Sequence, residues 1–201
     1  MPDGSYPVPG SVLIITGPPG AGKSTIAPLV AARLGPLAAC IEADWFWTTI
    51  TSGFVPPWEP ASDQQNRTVL SAAATSAAEL ALGGYGVVVD GIIGPWHLDV
   101  VTDVFDDRGV ICDYAVLRPD LETCLARASG RVEEPTRTPG HPPLTDTGPI
   151  RHLWGQFSVL GPHERHVVDT TDLDATSTIE ALDGRRHRGE LTLRPPTRPR
   201  R

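Results

Sequence analysis

Apolar positions recur along this chain in two periods that alternate. Residues 11–16 (SVLIIT) form a short β-branched run that stops at a glycine, the pattern of a buried parallel strand. Residues 23–34 then place Ile26, Leu29, Val30, Ala31 and Leu34 at helical spacing, closed by Gly35 and Pro36. A second strand is predicted over 37–42 and an alanine-rich helix over 62–82, ended by Gly83 and Gly84. Residues 86–90 (GVVVD) read as the clearest buried strand. Helices over 95–107, 119–129, 150–160 and 173–182, and strands over 113–117 and 165–168, complete the alternation. Two stretches interrupt it. Residues 48–60 carry three prolines and several aromatics, and residues 133–149 carry five prolines and two glycines, which predicts a loop or lid over about 130–149. Strands alternating with helices imply right-handed βαβ crossovers and a parallel sheet covered on both faces, an α/β three-layer sandwich.

Composition narrows the class. At 201 residues and 40% hydrophobic, the chain supports one sizeable core, read as a domain over 11–183 between a flexible N-terminus (1–10) and a basic Pro/Arg-rich tail (184–201). A formal charge of −7 argues against nucleic acid as partner, because neutralising a phosphate backbone takes a basic face. The arginines from Arg185 onward read as a solvated tail. Cys40, Cys112 and Cys124, odd in number and without CxxC spacing, read as reduced, buried thiols. With neither a signal-like start nor a run of about 20 apolar residues, the expected setting is cytoplasmic, with no membrane partner. Of the 17 basic residues a single one, Lys23, is lysine. A site that needs a compact charge on a flexible stem cannot be served by arginine's planar fork.

That lysine lies in the strongest motif. Gly17-Pro18-Pro19-Gly20-Ala21-Gly22-Lys23-Ser24 fits GxxxxGK[ST], directly after a predicted strand and before a predicted helix. Glycines at 17, 20 and 22 let the backbone wrap a phosphate chain, and the helix start adds partial positive charge. Lys23 can neutralise β- and γ-phosphate oxygens, and Ser24, followed by Thr25, can offer a hydroxyl to Mg²⁺. Asp90 ends an apolar strand at the sheet edge where open α/β folds bind ligands, a position suited to Mg²⁺ or its waters. Asp44 follows the second strand, where a carboxylate can orient an acceptor hydroxyl and take its proton; capping a helix from Trp45 onward is its structural alternative. Arg127 and Arg131, four apart on one helix face, can stack on adenine or grip phosphate oxygens. Asp169, Thr170 and Thr171, after the last strand, can contact the base.

With these residues in place, the chain resembles the small P-loop kinases of the nucleoside-monophosphate-kinase-like group, in particular the chloramphenicol phosphotransferase-like, AAA-type ATP-binding phosphotransferases. Shikimate and gluconate kinases are more distant relatives. The resemblance, over about 11–182, implies a five-stranded parallel sheet in the order 2-3-1-4-5 and binding of ATP and Mg²⁺ by residues 17–25. It implies Asp44 as general base, Arg127 near adenine and Arg131 on the phosphates, and 169–171 as the base loop. It does not choose a substrate.

The aromatics suggest one. Trp45, Phe46, Trp47, Phe54 and Trp58 cluster after the second strand, and Trp96 follows the third. Such faces suit an amphipathic alcohol, an antibiotic or other natural product, with Arg67 a candidate for an acceptor anion. A nucleotide or nucleotide-sugar kinase, as zeta-toxin-like relatives suggest, and a nucleotide-controlled binding module with slow hydrolysis stay open.

Overall fold

A computed structural model of the chain describes residues 10–130 and 145–193. Five strands, β1 (Ser11–Thr16), β2 (Ala38–Glu42), β3 (Gly86–Asp90), β4 (Ile111–Leu117) and β5 (Val167–Val168), form one parallel sheet in the order β2-β3-β1-β4-β5. Among the described residues seven α-helices accompany it: α1 (Lys23–Ala31), α2 (Asp44–Thr48), α3 (Asp63–Leu82), α4 (Leu98–Arg108), α5 (Leu121–Ser129), α6 (Thr147–Phe157) and α7 (Ala175–His187). The five parallel strands and their order agree with the sequence-based expectation.

The two-residue period of β1 divides the core. Val12 and Ile14 point to one face with Val87, Val89, Tyr114 and Val116, where α3 and α4 pack. Leu13 and Ile15 point to the other with Val88, Ala115 and Leu117, under α1 and α7. Burying each such branched side chain contributes about 1.5–3 kcal/mol. On α3 the buried stripe is largely alanine (Ala73, Ala74, Ala77, Ala78, Ala81), whose small side chains let the helix lie close to the sheet. β2 is an edge strand, and Cys40 on it is exposed, contrary to the buried thiol expected of it, while Cys112 and Cys124 are buried.

Element ends differ from the sequence reading for identifiable reasons. α1 stops at Ala31, not Leu34; it carries Pro28, and its end tightens into bonds from Arg33 N to Val30 O and Leu34 N to Ala31 O, both 2.9 Å. α6 begins at Thr147, inside the stretch assigned to the lid, because Asp146 caps it and Pro149 falls in the first turn, where a missing N–H costs nothing. The rest of the expected lid, 131–144, lies outside the described residues.

The largest departure is at the C-terminus, expected to be a solvated tail from 184. α7 continues to His187, and Leu191 is fully buried. Leu191 O accepts from Tyr114 N and Leu193 N donates to Cys112 O, so this segment runs antiparallel along the part of β4 that the two-residue β5 leaves uncovered. Asp113 anchors it, accepting from Thr192 Oγ1 (2.8 Å) and Arg186 Nε (2.9 Å). No helix among the described residues is long and apolar enough to cross a membrane.

Candidate functional site

The C-terminal ends of the strands carry the candidate site. Where β1 ends, Gly17, Gly20 and Gly22 all adopt positive φ (144°, 82° and 91°). A Cβ at Gly17 would lie 2.1 Å from Leu117 O and one at Gly20 2.2 Å from Cys124 O, so those glycines press the loop onto β4 and α5. Gly22 differs: a Cβ there would meet nothing within 4 Å. It also begins α1, which has no side-chain cap and no acidic residue in its first turn, the usual compensations for a helix's positive end. Lys23 is buried, and its Nζ donates to Gly17 O (3.0 Å) and Pro18 O (3.1 Å), reaching back across the loop.

Two carboxylates flank this cradle. Asp90 is buried at the end of β3, in register with Ile15 on one side and Glu42 on the other. Asp44 is exposed, two residues beyond Glu42. It is the first residue of α2, and Ala43, not Asp44, occupies the cap position, so the capping alternative does not hold. The two acids are tied through the backbone, because Ala43 N donates to Asp90 O at 2.7 Å.

On the other side, Asp120 caps α5, its side chain accepting from Thr123 N; hydrogen bonding with the Thr123 side chain, then with this N–H, lowers the pKa of the Asp120 carboxyl. One turn beyond Cys124, Arg127 donates to Thr170 O at 3.1 Å and joins the two parts expected to hold the base. Asp169 accepts from both the N–H and hydroxyl of Thr171, bonds that depress its pKa, and Thr171 Oγ1 accepts from Asp120 N. Thr170 Oγ1 is buried with no hydrogen-bond partner among the described residues. Arg131, the other member of the expected pair, lies outside the described residues.

The aromatic residues separate into two groups. Trp47 is half-buried against the core and donates from Nε1 to Asn66 Oδ1 (3.0 Å), so it anchors the loop. Trp96 lies over Gly94 and meets Phe157 edge-on at 5.2 Å. Trp45 and Trp58 remain 46% and 69% exposed, large rings turned to solvent on segments that follow β2. Arg67 is engaged by Asp99 at 2.8 Å, bridging α3 and α4, and that bond depresses the Asp99 pKa.

Three residues that sequence reasoning passed over organise the site. Buried Asn66 donates to Pro57 O (2.8 Å) and Ser62 Oγ (2.9 Å), pinning the irregular segment before α3. Thr16 Oγ1 accepts from Ile93 N, and Tyr114 Oη donates to Ile93 O. A threonine closing an apolar strand was the one sequence signal available. A shallow cavity of about 300 Å³ lined by Ser11, Ile111, Asp113, Arg186, His187 and Thr192 lies at the opposite end of the sheet, away from the cradle.

Comparison with known proteins agrees with this geometry. Residues 12–142 match the model of the family described as the AAA domain. Among solved structures, the chain is similar to the APS kinase CysC of Mycobacterium tuberculosis in complex with AMPPNP and APS (21% identity, 89% of this chain and 98% of that one, TM-score 0.60). It is also similar to the tunicamycin resistance protein of Deinococcus radiodurans (18%, 92% and 99%, 0.60). A third likeness is to shikimate kinase of Acinetobacter baumannii in complex with shikimate (18%, 92% and 97%, 0.58). A search of curated proteins found no match.

Proposed function

Since the chain belongs to the AAA-domain family, with the P-loop fold that small-molecule kinases share, we propose that it is an ATP-dependent phosphotransferase acting on a hydroxyl of a small molecule. The observation that supports this reading is one exposed carboxylate, Asp44, just past the end of β2, at the same edge of the parallel sheet as the loop after β1 whose own lysine is buried. A nucleotide-binding loop alone needs no such second side.

The cradle fits a triphosphate. Gly22 opens on unfilled space, the end of α1 has neither a side-chain cap nor an acid, and Lys23 rests on carbonyls that phosphate oxygens could replace as its partners. Ser24, half-buried in the first turn of α1, and Asp90 are the residues that would hold Mg²⁺, which when bound would neutralise charge on the phosphate oxygens. Arg127, with Thr170, whose hydroxyl has no hydrogen-bond partner among the described residues, would receive the base. Asp44 would orient the acceptor hydroxyl and take its proton as that oxygen attacks the γ-phosphorus. The bond from the γ-phosphorus to the β–γ bridging oxygen breaks, and ADP leaves.

The exposed Trp45 and Trp58 favour an acceptor with an apolar or ring face, an antibiotic or other natural product. Likeness to a tunicamycin resistance protein supports that class, and Arg67, already paired with Asp99, contributes little to binding an acidic acceptor. The test is mass spectrometry of hydroxylated antibiotics, sugars, nucleosides and nucleotide sugars incubated with the protein, ATP and Mg²⁺. A gain of one phosphoryl group, lost with Asp44→Asn while ATP still binds, is the expected result. ADP release with no phosphorylated product would favour the nucleotide-controlled module instead.

A further inference from the structure

Ile93, three residues beyond Asp90, has both of its main-chain polar groups held by side chains from other strands. Its N–H donates to Thr16 Oγ1 at 2.9 Å, and its carbonyl accepts from Tyr114 Oη at 2.8 Å. Thr16, Ile93 and Tyr114 are all buried, so neither bond competes with water. Thr16 is the residue directly before Gly17, where the cradle begins. Tyr114 is itself seated edge-on against His166 (5.6 Å) and His163 (6.1 Å).

The turn so held touches the acceptor side. A Cβ on Gly91 would lie 2.9 Å from Ala43 Cβ, so this turn and the residue before Asp44 are packed as closely as a glycine permits. Ala43 is also bonded to Asp90 O. A continuous path therefore runs from the cradle through Thr16, Ile93, Gly91 and Ala43 to Asp44. Resting on the phosphotransferase reading, we infer that Thr16 and Tyr114 are positioning residues: their clamp on Ile93 sets where Asp44 stands relative to the γ-phosphate. In such an arrangement a displacement of about 1 Å costs about a hundredfold in rate.

The test compares wild type with Thr16→Val, Thr16→Ser, Tyr114→Phe, Asp44→Asn and the Thr16→Val/Asp44→Asn double variant. Turnover is read as ADP release from Mg-ATP in the presence of the acceptor found by mass spectrometry, and nucleotide affinity with a fluorescent ATP analogue. Thr16→Val and Tyr114→Phe should lose at least about tenfold in kcat with analogue affinity within about twofold of wild type. Thr16→Ser, which keeps the acceptor oxygen, should retain activity and so control for folding. Thr16→Val should add little to the loss already caused by Asp44→Asn. Wild-type turnover in both Thr16→Val and Tyr114→Phe, a parallel loss of analogue binding, or fully additive losses in the double variant would overturn the clamp alone. A wild-type protein that binds the analogue but phosphorylates no acceptor, with or without ADP release, would overturn the phosphotransferase reading, and this inference with it.

Discussion

Arg127 donates to the main-chain oxygen of Thr170 at 3.1 Å, across 43 positions of sequence, and so ties the helix against the cradle to the loop that follows β5. If this joint receives the nucleotide base, Arg127→Ala should raise the KM for ATP about tenfold or more, equivalent to about 1.4 kcal/mol or more. The KM for the acceptor should be unchanged. Steady-state kinetics with each substrate varied in turn measures both.

Lys23 is held by Gly17 O and Pro18 O inside the loop it serves. Lys23→Ala should abolish ATP turnover, and Lys23→Arg should not restore it, because a planar fork cannot take the place of a compact ammonium there. ADP release measured for both variants, with circular dichroism to confirm the fold, decides this. Normal turnover by either would remove Lys23 from the mechanism.

Gly20 and Gly22 should respond differently to alanine although both have positive φ. At Gly20 the new methyl meets Cys124 O at 2.2 Å, a backbone atom that cannot give way without moving α5. At Gly22 it meets open space and incurs the strain of φ 91°, about 1–2 kcal/mol. Gly20→Ala should therefore lower the melting temperature more than Gly22→Ala, while Gly22→Ala, which strains the turn directly before Lys23, should weaken binding of the fluorescent ATP analogue.

His166 is fully buried, and burial, then the neighbouring Arg165 and His163, pushes its pKa down to about 4 from 6.5. Between those values the unfolded chain binds a proton that the folded imidazole refuses. Its contribution is thus complete above pH 6.5 and falls as the pH drops towards 4, the loss being about 2 kcal/mol by pH 5. Urea melts of wild type and His166→Phe at pH 7.5 and 5 measure this. The variant should show a smaller acid-induced loss than wild type; equal losses would assign the acid sensitivity to other groups.

How much was legible in advance follows from the range of the interactions. The cradle could be read from Gly17 to Ser24 because its chemistry is local: contiguous residues supply the glycine conformations, the lysine and the helix start. The first part of the expected tail, 184–193, was misread because its partner is remote. Arg186 and Thr192 are ordinary polar residues by composition, and only the shortness of β5 makes the flank of β4 available to them, with Asp113 there to bind both. Trp47 and Trp58 stand in the same aromatic run, yet one is tied to Asn66 and the other faces solvent, a difference decided by how α3 packs.

The sequence by itself determined the strand and helix alternation, the parallel sheet and the phosphate-binding loop, because periodicity and short-range backbone requirements act between near neighbours. Only the tertiary structure decided which polar side chains meet. Arg67 went to Asp99, Arg127 to Thr170, and Thr16 and Tyr114 to the two sides of Ile93. Those pairings depend on how helices and strand ends pack, and a buried polar group takes whichever partner the packing brings within about 3 Å.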